Sequence, residues 1–97
     1  MNIHVLIEHG YTEFITLFST KQKLFDFYIR NLKKDDSKHI EITLERFKSG
    51  KSELDHESIV EITRAFEGKP YDINAIDLSA FFENHDCDTQ YYERKLL

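Results

Sequence analysis

"HESIVEITRAFEGKP", His56 to Pro70, can be read in two ways, and the fold depends on which is right. At steps of three and four, Ile59, Ile62 and Phe66 form a helical stripe, and Gly68 followed by Pro70 makes an ordinary helix stop. At steps of two, Val60, Ile62 and Phe66 share one face of a strand, and the β-branched pairs Ile59-Val60 and Ile62-Thr63 favour extended backbone. The segment before it tips the balance. His39 to Phe47 alternates Ile40, Ile42 and Leu44 with Glu41, Thr43 and Glu45, and Lys48-Ser49-Gly50-Lys51 supplies a turn. Residues 57–67 are therefore expected to form the second strand of a hairpin, with a helix as the alternative.

Working outward, Ile3, Val5 and Ile7 alternate with His4, Leu6 and Glu8, as in a strand. His9-Gly10-Tyr11 supplies a turn in which Gly10 is able to take positive φ. Thr12 to Phe18 follows as the antiparallel partner, with Phe14, Thr16 and Phe18 on one face and Ile15 and Leu17 on the other. Ser19 or Thr20 offers a helix cap, with Gln22 placed for a capping box after Ser19. Leu24, Phe25, Tyr28, Ile29 and Leu32 then make one apolar helical stripe, and Lys33 and Lys34 suit the negative end of the helix dipole. Asp72 or Asn74 begins a last helix, with Ile73, Ile76, Ala80 and Phe81 along one side and an end near Asn84. Residues 85–97 read as a polar, aromatic-bearing tail, extended or briefly helical.

The expected fold is α+β, an antiparallel four-stranded sheet with two helices on one face in the order ββαββα. Ninety-seven residues suit one compact domain, and a 40% hydrophobic, 13% aromatic composition is too apolar for a disordered chain. The longest apolar runs are short, as in Val5-Leu6-Ile7, so no membrane span is expected. The single cysteine, Cys87, suits a reducing cytoplasm, the expected location.

Charge is unevenly placed. Residues 1–48 carry 8 Lys and Arg against 7 Asp and Glu, a difference of +1, whereas residues 49–97 carry 5 against 11, a difference of −6. An acidic half repels phosphate backbones, so direct nucleic-acid binding is not expected. It attracts a basic protein surface and speeds the encounter.

No catalytic signature is present. His85, Asp86, Cys87 and Asp88 crowd several metal-ligating atoms into four positions, but neighbouring residues of an extended chain point apart and no CxxC or HExxH accompanies them. Asp86 and Asp88 flank Cys87, and negative neighbours disfavour a thiolate nucleophile. Of the five histidines, His4, His9, His39, His56 and His85, the pair His4 and His39 falls on neighbouring expected strands, but no Ser or Cys accompanies that pair at a recognisable spacing. Three scattered glycines build no phosphate loop or dinucleotide fingerprint. No catalytic residue, metal site or cofactor is expected.

Acids combined with aromatics are more informative. Asp72, Asp77, Glu83, Asp86, Asp88 and Glu93 lie among Tyr71, Phe82, Tyr91 and Tyr92. Interfaces concentrate energy in a few aromatic anchors, with charges steering the partner. The partner-binding set is therefore Asp72, Asp77, Glu83, Asp86, Asp88, Tyr91, Tyr92 and Glu93. The expected function is a small non-enzymatic module that docks on a basic protein and inhibits it. An immunity protein neutralising a nuclease toxin, or an inhibitor of a nucleic-acid-binding defence enzyme, fits this description by size and charge. A homodimeric structural or regulatory subunit, joined through an exposed strand edge or the face bearing Phe47, is the alternative, and a small enzyme with an unrecognised site is the third.

Overall fold

A computed structural model describes residues 2–35, 45, 54–85 and 88–95. Its elements are strands β1 (Asn2–Glu8) and β2 (Phe14–Phe18), helices α1 (Lys21–Asp35) and α2 (His56–Phe66), a 3-10 turn (Ile73–Ala75), helix α3 (Leu78–His85) and strand β3 (Thr89–Lys95). The fold is α+β with an antiparallel sheet, as expected, but the described sheet has three strands, in the order β2-β1-β3. The expected strand His39–Phe47 and its turn, with Phe47, lie outside the described residues, apart from Glu45, whose backbone is helical.

The N-terminal hairpin forms with register Glu8↔Phe14 to His4↔Phe18. Its loop is longer than a His9-Gly10-Tyr11 turn, because β2 begins at Phe14 rather than Thr12. Five residues connect the strands, and among the described residues only Gly68 takes a positive φ, so Gly10 needs none. Thr20 caps α1, its Oγ1 accepting from the Lys23 N–H at 3.1 Å. Leu24, Phe25, Tyr28 and Ile29 are buried on the face that the stripe indicated.

Residues 56–66 are helical, which overturns the expected strand. Local capping at both ends supplies the reason. The Asp55 side chain accepts from the Ser58 N–H at 2.7 Å, satisfying a donor at the helix start. At the other end Gly68 has φ 76°. Its N–H donates to the Ala65 carbonyl, and the Lys69 N–H donates to the Arg64 carbonyl at 2.9 Å. This pair of crossed bonds, closed by a left-handed glycine, is a Schellman stop. The buried set Ser58, Ile62, Ala65 and Phe66 follows helical spacing, so the β-branched residues are overridden by caps and packing.

Residues 89–95, expected as part of a polar tail, form the third strand. They pair antiparallel with β1 from Glu8↔Thr89 to Asn2↔Lys95. The last helix also starts later than expected. Asp72 caps the 3-10 turn, accepting from the Asn74 N–H, and Asp77 caps α3, accepting from the Ala80 N–H at 3.1 Å.

The core lies between the sheet and the helices. Leu6 contributes from the central strand, and Phe18 and Tyr91 pack against the cluster from the same face. Phe81 of α3, fully buried, meets Phe25 edge-on at 5.4 Å, Tyr28 at 5.9 Å and Phe82 at 5.1 Å between ring centroids. Pairs in this geometry add to the burial of their area. Ser58 is the buried polar link between helices: its hydroxyl donates to the Ala75 carbonyl at 2.9 Å.

Alternation assigns the other sheet face. Ile3, Val5 and Ile7 of β1 pair with Ile15 and Leu17 of β2 and with Gln90, Tyr92 and Arg94 of β3. Ile15 and Leu17 remain 61% and 60% exposed there.

Candidate functional site

Helix α3 and strand β3 enclose an open groove of about 420 Å³. Ser79, Phe82 and Glu83 line it from the helix, and Thr89, Gln90, Tyr91 and Tyr92 line it from the strand. The helix presents those residues because 79, 82 and 83 share one face at steps of three and four. Glu83, Tyr91 and Tyr92, three of the residues picked from the sequence, thus meet in one place. Asp88 and Glu93, both exposed, sit on the same chain segment just before and just after the groove-lining residues.

Tyr91 is held from the inside. Its hydroxyl lies 2.8 Å from Nδ1 of buried His4, and the two rings stack with centroids 6.0 Å apart. Glu93 stands on the same face, directly across from His4 in the ladder, with Oε1 4.0 Å from Nε2. The Asn2 side-chain amide donates to that same oxygen at 2.8 Å. Burial, and then the Glu93 charge, push the Tyr91 phenol up to about 12. The phenol therefore stays protonated at neutral pH and serves as a hydrogen-bonding group. Tyr92 points to the opposite face, where the Arg94 guanidinium lies 5.1 Å from its ring centroid.

The backbone of β3 adds a second feature. The His9 N–H donates to the Asp88 carbonyl at 2.8 Å, in register with the β1·β3 ladder. Hydrogen-bonded pairs in an antiparallel ladder recur every second residue, so Gln90, Tyr92 and Arg94 direct their N–H and C=O groups toward β1. Tyr91 and Glu93 direct theirs outward, along the outer edge of the sheet formed by the described residues. The Glu93 carbonyl accepts from the Arg94 guanidinium at 3.3 Å, while the Tyr91 N–H and C=O and the Glu93 N–H have no partner among the described residues.

The remaining picks are placed elsewhere or not described. Asp72 and Asp77 serve as caps outside the groove lining. Asp86, Cys87 and the His85 side chain lie outside the described residues. Among the described residues, no group of three or more His, Cys, Asp or Glu side chains could hold a metal ion, and no helix is long and apolar enough to cross a membrane.

A second cavity of similar volume, between α1 and the end of α2, is lined by Asp26, Arg30, Ala65, Gly68, Lys69 and Tyr71 among others. The Tyr71 hydroxyl donates to Asp26 Oδ1 at 2.6 Å, and Gln22 donates to that hydroxyl at 2.7 Å. Burial, reinforced by the bond to Asp26 and its charge, holds the Tyr71 phenol well above its ordinary value. Spacing along one chain does not reveal this trio, because Tyr71 joins Gln22 and Asp26 from a separate element.

No known protein family, curated protein or solved structure matches the chain.

Proposed function

We propose that this chain is a small protein-binding module, without catalytic activity of its own, that docks on a basic protein and inhibits it. An immunity protein bound to a nuclease toxin, or an inhibitor seated on a nucleic-acid-binding defence enzyme, are instances of such action. The observation that carries the reading is the α3–β3 groove. Glu83 and Tyr91 line it from the helix and the strand, Glu93 follows two residues beyond Tyr91 on the same strand face, and Asp88 stands just before the lining residues. Carboxylates of this kind imitate phosphates toward a cationic cleft and accelerate encounter, while half-buried Tyr91 provides a desolvated anchor.

The test is affinity capture from the native host with the wild-type chain and with a Glu83→Gln, Asp88→Asn, Glu93→Gln variant. Association kinetics of the recovered protein at low and high salt complete it. The reading requires a basic partner whose association slows about tenfold or more in the variant and loses much of its salt dependence. An acidic partner, or unchanged association kinetics, overturns it.

The outer sheet face supports a second reading, a homodimeric structural or regulatory subunit. Ile15, Leu17 and Tyr92 leave large apolar surface exposed across it, with half-buried Ile3, Val5 and Ile7 between them. Two such faces pack about 10 Å apart in a sheet sandwich. A solution mass of twice 11.6 kDa for the chain alone favours this reading, and a monomer favours the first.

A further inference from the structure

We infer that the partner binds by strand addition: an extended segment with cationic residues at alternate positions hydrogen-bonds to the outer edge of β3 and places those residues in the α3–β3 groove. The inference rests on the docking reading above and specifies its mode.

Three observations meet at this edge. First, the N–H and C=O of Tyr91 and the N–H of Glu93, without partners among the described residues, stand two residues apart, the spacing at which an added strand donates and accepts. An exposed edge of this kind is a template for another chain. Second, the groove lies alongside this edge. An added strand runs between β3 and α3, where every second side chain turns toward the helix and the others lie beside Gln90 and Tyr92. Third, charge selects the occupant. Glu83 is the charged residue lining the groove, and Tyr91 and Phe82 offer ring surface beside it. A Lys or Arg side chain satisfies both, laying its aliphatic stem on the rings while its head pairs with the carboxylate. Glu93, two residues beyond Tyr91 on the same face, sits roughly 7 Å farther along the strand and suits the next inward-facing cation. The recognised pattern is therefore a cation at positions i and i+2 of an extended segment. A block of contiguous cations would turn every other charge away from the groove.

The β2 edge lacks this arrangement. Ile15 and Leu17 project to the outer face there, and neither cavity borders that strand.

The experiment uses the full chain and a capped eight-residue peptide alternating Lys with Thr. Two controls have the same charge: one carries N-methyl groups on alternate backbone amides, and the other has its four lysines contiguous. Amide hydrogen exchange by NMR is the primary readout. In the free protein, Tyr91 and Glu93 amides should exchange at least about tenfold faster than those of Gln90 and Tyr92. Saturation with the alternating peptide should slow Tyr91 and Glu93 by at least about tenfold, and both controls should bind at least about tenfold more weakly. A pair of variants sharpens the result. Glu93→Ala and Glu93→Pro both remove the carboxylate, but only proline also removes the outward N–H, and β1 pairing survives because that N–H is not part of the ladder. Proline should weaken binding several-fold beyond alanine. Equal, salt-sensitive binding of all three peptides with no protection of Tyr91 and Glu93 overturns strand addition and leaves acidic docking standing. Absence of binding by every peptide overturns strand addition and counts against acidic docking as well.

Discussion

Replacing Ser58 by alanine tests the segment on which the fold turns. Ser58 is 1% exposed in the first turn of α2, and its hydroxyl is the donor to the Ala75 carbonyl at 2.9 Å. The Asp77 N–H also points at the hydroxyl, at a marginal 3.5 Å. Removing the hydroxyl leaves the Ala75 carbonyl without this donor, a loss of about 1–3 kcal/mol for a buried acceptor. Alanine recovers roughly half a kcal/mol through its higher helix propensity. The net destabilisation is about 0.5–2.5 kcal/mol, or roughly 2–20 °C in Tm for a domain of this size. Urea and thermal unfolding followed by circular dichroism measure it. Ser79→Ala, at an exposed position of α3, is the control and should stay within about 0.5 kcal/mol of wild type. If Ser58→Ala behaves like the control, the hydroxyl does not join α2 to the 3-10 turn, and the account of residues 56–77 fails.

Other outcomes follow from the same geometry. Phe81→Ala should cost about 3–5 kcal/mol, enough to leave much of the chain unfolded at 37 °C, because the ring is fully buried among four other aromatics; Phe81→Leu should retain most of the folded signal by circular dichroism. The Asp55 carboxyl is held below its ordinary value by the backbone N–H of Ser58 and then by the Ser58 side chain. Its contribution is therefore present above roughly pH 4 and is lost as pH falls through the lower folded value. Asp55→Asn should flatten the acid limb of a plot of urea midpoint against pH, and an unchanged limb would exclude the cap as its source. The Tyr91 phenol behaves in the opposite sense, since its folded value of about 12 lies above the unfolded value. Its contribution is complete below pH 10 and is lost between pH 10 and about 12. Ultraviolet titration of wild type minus Tyr91→Phe should show one phenol ionising near 12, and a difference curve centred at 10 would refute the buried placement.

The candidate site was only partly legible. Glu83, Tyr91 and Tyr92 could be picked out as acids and aromatics close in sequence, and they do share the groove. Asp72 and Asp77 carry the same chemical labels but stabilise turn and helix starts, a role set by their position at the entry to each element. The groove itself required knowing that residues 89–95 form an edge strand.

What the chain determined on its own is local: the β1–β2 hairpin, the apolar stripe of α1, and the inward positions Ile73, Ile76 and Phe81 around the last helix. In each, the period of apolar residues matches one backbone geometry and nearby residues supply the turn or cap. Tertiary structure decided the rest. Residues 56–66 satisfied both periods; the caps at Asp55 and Gly68 are local, and the core that receives Ile62 and Phe66 completed the choice. Thr89–Lys95 shows little apolar alternation because it is an edge strand with only Thr89 and Tyr91 turned substantially inward. Its partner β1 lies at the opposite end of the sequence, and nothing local to either segment marks the pairing of the two.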